Sequence, residues 1–360
     1  MAVAPDDHRV WPPLKLDHLR RLTDSTGLLE HSWGAVPNPI EGYTVDDNAR
    51  ALALAARLQA VGEGEGLGLA IRYLSFLLYA VLPDGRFHND VAYDRSYEDA
   101  VGAEDTQGRA AWGLGELLAV FGGSPVELPS RRLLAGLWPH LSRLSAPRAQ
   151  AYALLGLGAV AETGDPLAGP ARELLPALAG HLEALYDATH DGEWRWFEDR
   201  LAYANARLPQ GLLTAARIAG DDGWGAKGLE SLSFLWELLW QDDHLELVGN
   251  RGWHRRGGAM ARFDQQPLDA AAMVEACLAA HEFTRDPEWY RRAVLAFEWF
   301  LGRNAIGQPL YHPETGGCRD GLQPDRVNAN EGAESTLSYL LARLALERSR
   351  APGGAQADSA

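Results

Sequence analysis

Residues 83–105 read PDGRFHNDVAYDRSYEDAVGAED, a long link rich in acids, aromatics and glycine, whereas the next link, GGSPVELP at 122–129, is short. Both separate stretches of helical periodicity, and the alternation persists along the chain. Short links recur as GEGEG at Gly62, TGDPL at Thr163, GDDG at Gly220 and RDP at Arg285. Long ones recur as THDGEWRWFEDRLAYA and QDDHLELVGNRGWHRRGGAMARFDQQ, and SAP before Arg148 is the short exception. Apolar residues at i, i+3, i+4 and i+7 predict twelve helices, at about 14–24, 46–61, 67–82, 105–121, 130–144, 147–163, 169–188, 205–219, 224–241, 267–284, 287–303 and 331–347. Short links make consecutive helices antiparallel, so every even-numbered helix starts at the end where the long links lie. Those starts recur at intervals of about 60 residues, with one short unit. Six helix pairs closing on themselves give an all-α (α/α)6 toroid with the even helices inside. Alternating pieces such as RFHNDVAY, EWRWFED and HLELVG predict small β-hairpins in the rim loops. The expected boundaries are one toroid domain over 8–348 and a disordered tail over 349–360.

Composition narrows the function classes. The chain has 360 residues, with 33 Lys and Arg against 49 Asp and Glu, for a net charge of −16. Such a surface repels phosphate backbones and anionic lipid, so nucleic-acid and membrane partners are not expected. Cys277 and Cys318 are too few for a disulfide framework or a Cys-rich zinc site. MAVAPDDHRV lacks a charged-then-apolar leader, and no run approaches about 18 apolar residues, so a cytoplasmic location is expected. There is no GxGxxG or GxxxxGK[ST] loop and no βαβ alternation, and no cofactor or metal is expected.

Chemistry gathers at the even-helix starts: EGYTVDDNARALALAARL, GAEDTQGRAAWGLGEL, LAYANARLPQGLLTAA, RFDQQPLDAAAMVEA and VNANEGAESTLSYLLARL. Only the sixth helix, SAPRAQAYALLGL, has no carboxylate or amide there except Gln150. Helix capping alone explains residues such as Asp46, Glu104 and Asn330. It does not explain an Arg one turn into an inner helix, or Gln265–Gln266. Acids, amides, Arg and rim aromatics together suit a neutral polyhydroxyl ligand, with planar rings covering sugar faces and bidentate groups taking hydroxyls.

GYTVDDNARAL, EDTQGRAAWGLGE, WFEDRLAYANARLP and NANEGAESTLSYL resemble a family of bacterial and archaeal proteins related to the six-hairpin glycosidases. The resemblance spans Gly42 to Leu340 and implies the toroid and a carbohydrate substrate, with a glycosyltransferase as functional partner. The family's third motif carries an acid before Asn-Ala-Arg, where this sequence has Ala204.

Two carboxyls, one as acid and one as base, cleave a glycosidic bond. The candidates are Asp47 and Asp105, each three or four residues before an Arg, and Glu198 beside the Trp194–Phe197 aromatics. Tyr43, Asp46, Arg50, Glu104, Arg109, Trp196, Asn205, Arg207, Asp264, Gln266, Asn330 and Glu331 are expected to bind substrate. The pocket they line should be lopsided, low at the sixth helix. A glycoside hydrolase of inverting type acting on neutral oligosaccharides is the first reading. A sugar epimerase or isomerase needs His on inner helices, which carry none at their starts. A non-catalytic sugar-binding partner of a glycosyltransferase accounts for the motifs as well.

Overall fold

The computed structural model describes residues 11–350. Twelve α-helices alternate along it: α1 Asp17–Leu22, α2 Val45–Ala60, α3 Gly66–Ala80, α4 Glu104–Val120, α5 Glu127–Leu141, α6 Pro147–Ala161, α7 Ala168–Thr189, α8 Arg207–Ala219, α9 Asp222–Leu239, α10 Pro267–Thr284, α11 Pro287–Glu298 and α12 Ala333–Arg350. The even helices pack in the ring order α2, α4, α6, α8, α10, α12 and back to α2. Each of α3, α5, α7, α9 and α11 lies outside the inner helix that precedes it, and α1 packs on α12. The chain is thus an (α/α)6 toroid, as the alternation of link lengths predicts. The first helix is shorter than expected, and the eleventh tightens into a 3-10 turn at Trp299–Leu301. Helix α12 extends to Arg350, and the rest of the expected tail lies outside the described residues.

The inner helices are buried nearly all round, which explains their composition. Each needs small residues where its backbone meets two neighbours. Gly115 of α4 and Gly156 of α6 face each other, and a Cβ at Gly156 overlaps the Ala111 carbonyl oxygen. The outer helices show amphipathic burial, with Tyr73, Leu74, Leu77 and Ala80 of α3 turned inward.

The long links carry the strands. The largest sheet joins β1 (Leu29–Trp33), β2 (Val36–Thr44) and β3 (Asp90–Val91), all antiparallel. Four two-stranded pairs decorate the other links. No helix among the described residues is long and apolar enough to cross a membrane.

Glycine-to-alanine changes separate close helix approach from ordinary helix propensity. Gly156→Ala is expected to lower stability by about 1–3 kcal/mol through overpacking. Gly180→Ala in α7, where a Cβ meets open space, is expected to raise it by up to ~1 kcal/mol. Denaturant melts of both variants check the contrast.

Candidate functional site

The inner-helix N-termini open into two adjoining hollows on the face that carries the long links. The first, about 380 Å³, is lined by Glu30, His31, Thr44, Asp46, Asp47, Arg50, Asn89, Asp90, Asn250, Asp264, Gln266, Asp320, Gly321, Gln323, Asn328, Gly332, Glu334 and Ser335. The second, about 640 Å³ and shallower, is lined by Asp46, Arg50, Ala103, Glu104, Asp105, Arg109, Ser145, Ala146, Tyr203, Gln266, Leu268 and Glu334. Asp46, Arg50, Gln266 and Glu334 belong to both, so the hollows form one depression across the ring. The α6 side supplies only Ser145 and Ala146, from the approach to its helix.

The floor is built by α2. Thr44, not an aspartate, caps that helix: its Oγ1 accepts the Asp47 N–H at 3.2 Å. Asp46 and Asp47 are therefore free of capping, and each takes an arginine. Arg50 donates through Nη1 to Asp47 Oδ1 at 2.6 Å and through Nη2 to Glu334 Oε2 at 2.6 Å. Arg109 donates to Asp46 Oδ2 at 2.5 Å. Asp46 Oδ1 is buried and has no hydrogen-bond partner. Asp264 repeats that arrangement, with Oδ2 on Arg251 Nε at 3.0 Å and a buried Oδ1 without a partner.

Seven carboxyls line the first hollow, opposed there by Arg50 and His31. Burial pushes the Asp47 carboxyl up to about 7; Arg50 pulls it back, and Glu334 adds to the rise. Burial also raises Asp90 and Asp320. The hydrogen bond to Glu30 raises His31 to about 9, against the opposing effect of burial. The hollow therefore combines a carboxyl that holds its proton near neutrality with an imidazole that stays charged. Among the described residues no group of three or more His, Cys, Asp or Glu is arranged to hold a metal ion.

Several residues expected at the site lie elsewhere. Trp196 is wholly buried against Phe197 and Phe234, as core packing under its loop. Tyr43 is buried, and its hydroxyl donates to Asp24 Oδ2 at 2.6 Å. Arg207 points into the ring interior, where it meets Glu275 at 2.9 Å. Asn205 folds back on its own turn, accepting the Ala202 N–H at 2.9 Å. Glu198 lines neither hollow and is held by Arg148 at 2.7 Å. Asn330 and Glu331 brace the β1–β2 turn: Asn330 Oδ1 accepts the Gly34 N–H at 3.1 Å, and the Glu331 N–H meets Ser32 Oγ at 2.9 Å. The Glu331 carboxylate is occupied by His312 at 2.5 Å and Thr315 at 2.7 Å.

Other expected residues stand in the depression with defined partners. Asp105 accepts the Tyr203 hydroxyl at 2.6 Å and faces Arg109 at 3.5 Å. Glu104 takes the Ser145 and Ala146 N–H groups at 2.7 and 2.6 Å, anchoring the chain as it enters α6. Arg50, Gln266 and Asp264 line the first hollow.

Sequence reasoning missed Glu30, His31, Asp90 and Asp320 as lining residues, and it weighed Glu334 only as one candidate acid among several. The first four lie in strands and irregular links, where no periodicity says which way a side chain points. Glu334 had a signal, an acid in the first turn of an inner helix. Arg148 was missed too. It repeats the pattern of an Arg near an inner-helix start, and it joins Glu198, Asn205 and the Tyr203 ring.

No protein-family model matches the chain, and no curated protein does. Solved structures do. A sugar epimerase from a ruminal bacterium superposes with a TM-score of 0.71 at 12% identity, covering 93% of this chain and 94% of that one. Cellobiose 2-epimerase from Bacillus thermoamylovorans gives 0.70 at 13%, covering 93% and 95%. A family 76 alpha-1,6-mannanase from Salegentibacter sp. gives 0.63 at 12%, covering 93% and 97%. An inactive variant of that mannanase, with two consecutive aspartates changed to alanine, is described in complex with alpha-1,6-mannotetrose. At these identities the likeness is one of fold, and the fold is the (α/α)6 toroid.

Proposed function

We propose that this chain is a glycoside hydrolase acting on neutral oligosaccharides, mannosides or glucosides, with Asp47 as proton donor and Asp264 as the base that activates water. The observation that carries the reading is the Asp47 carboxyl, pushed up to about 7 on the floor of a hollow that Asp264 also lines. Asp47 gives its proton to the glycosidic oxygen as the bond to the anomeric carbon breaks. Water attacks that carbon and loses its proton to the Asp264 carboxylate. Asp47 comes from α2 and Asp264 from the link before α10, with α12 between those helices in the ring. Inversion requires the two carboxyls to stand about 6.5–9.5 Å apart, with room for water between them. Asp105 and Glu198, first expected to be catalytic, serve as positioning groups in this scheme, because Tyr203 and Arg148 hold them. The mannanase whose inactive form lacks two consecutive aspartates fits a toroid hydrolase that depends on such a pair; here Asp46–Asp47 lines the hollow.

An epimerase removes a proton next to a carbonyl with an unprotonated base, most often His. His31, the one imidazole lining the hollows, is raised to about 9 and stays protonated at neutral pH. The hydrolase reading is preferred on that ground.

Asp47→Asn is expected to lower kcat by about 10²–10⁴-fold on alpha-1,6-manno- or beta-1,4-gluco-oligosaccharides. Its melting temperature should hold, since Thr44 supplies the cap; Thr44→Ala should instead cost about 1 kcal/mol. Loss of stability with intact turnover in Asp47→Asn returns the residue to structure. If neither water nor phosphate supports cleavage by the parent, the role left is sugar binding beside a glycosyltransferase, which the motif resemblance implies.

The pH profile carries its own sign. A proton donor titrating at about 7 makes kcat/KM fall by about tenfold per pH unit above that value. Stability follows the same group. Its folded value lies above the ordinary 3.8, so its contribution is complete below about 4 and is lost as pH rises to about 7. Asp47→Asn should therefore remove part of the parent's loss of stability between those limits, measured by denaturant melts across pH.

A further inference from the structure

We propose that the outward face of the β1–β2 hairpin is a platform for sugar units lying outside the hollow, with Trp33 as its stacking ring. The inference rests on the carbohydrate reading of the site and extends it to substrate length.

Strand geometry carries the placement. Side chains two apart on a strand share a face, as do residues directly opposite on paired strands. His31 pairs with Asn38, Ser32 with Pro37 and Trp33 with Val36, and the register break lies before His31. His31, Trp33, Val36 and Asn38 therefore share one face, while Ser32 is buried on the other against the link before α12. His31 lines the first hollow, so the face that begins as the hollow's wall continues outward to Trp33, about 7 Å further along the strand.

Exposure and rigidity point the same way. Of twelve tryptophans, Trp33 alone is exposed, at 75%, and its cross-strand partner Val36 is 68% exposed. The turn beneath them is tied down rather than loose. Gly34 donates its N–H to Asn330 and accepts the Glu331 N–H at 3.1 Å, and Ser32 Oγ donates to the Gly34 carbonyl at 2.7 Å. A bare indole on a pinned turn, flanked by a β-branched residue and carrying no charge, matches the apolar face of a pyranose ring in an extended chain. Asn38 on the same face accepts the Ile40 N–H at 3.3 Å through Oδ1 and keeps a second amide N–H for a hydroxyl.

The test is titration calorimetry with alpha-1,6-manno- and beta-1,4-gluco-oligosaccharides of two to six units, using Asp47→Asn protein so that turnover is suppressed. The platform predicts that affinity rises with length beyond the units the hollow holds. Trp33→Ala should weaken the longer ligands by about tenfold and leave the disaccharide unchanged, and Trp33→Tyr should restore most of the loss. An equal effect of Trp33→Ala at every length, or none at any, overturns the platform. So does a change from dimer to monomer in sedimentation with unchanged sugar affinity, which makes the face a contact between copies of the chain. Length-dependent binding that needs Trp33, in a parent that cleaves nothing, refutes the hydrolase and keeps the platform. Absence of binding by any oligosaccharide refutes both.

Discussion

The Arg50 guanidinium sits where the ring closes, between the first and last full inner helices, and binds Asp47 of α2 with one nitrogen and Glu334 of α12 with another. It is 5% exposed and Asp47 is buried with it, whereas the Glu334 side chain is 36% exposed. Removing the arginine leaves the buried Asp47 carboxyl without its counterion, whereas the Glu334 carboxylate can turn to solvent. The same contact forms the floor of the first hollow, so closure of the fold and the electrostatics of the site depend on one side chain. Without Arg50, the rise that burial imposes on Asp47 loses its main counterweight.

Further arginines repeat the device around and below it. Arg109 joins α4 to Asp46 of α2, and Arg148 joins α6 to Asn205 at the entrance of α8. Deeper in the ring, Arg57 meets Glu116 at 3.1 Å and Glu275 at 3.0 Å, and Arg207 shares Glu275. Burial alone raises Glu275, but Arg207 and Arg57 outweigh it and hold the carboxylate well below its usual range. Arg207 also lies over the Trp112 and Tyr152 rings, at 5.1 and 5.5 Å. Planar, always-charged guanidinium groups suit this work better than lysine, because each reaches two acceptors and stacks on an aromatic face.

This explains what the sequence disclosed and what it hid. Link lengths report which helix ends lie together, and the ring follows from them without side-chain detail. Asp46, Asp47, Arg50, Asp105, Arg109 and Gln266 were legible because an inner-helix start fixes both height and direction. Arg207 shares the motif, but its guanidinium turns into the ring interior onto Glu275. Trp196 and Tyr43 looked like rim aromatics, yet composition does not distinguish a ring laid over a sugar from one that packs a loop to the barrel. His31, Asp90 and Asp320 enter the hollow from links whose path is set by tertiary contacts such as the Glu331 brace, and no local period announces them.

The most direct test is the titration of the Asp47 carboxyl carbon by NMR in aspartate-labelled protein, assigned by its loss in Asp47→Asn. The account predicts a midpoint near 7, with the proton held at neutral pH by burial on the floor of the hollow. A midpoint at or below the usual ~3.9 for aspartate contradicts it, because Asp47 is then the ionised partner of Arg50 and no proton donor.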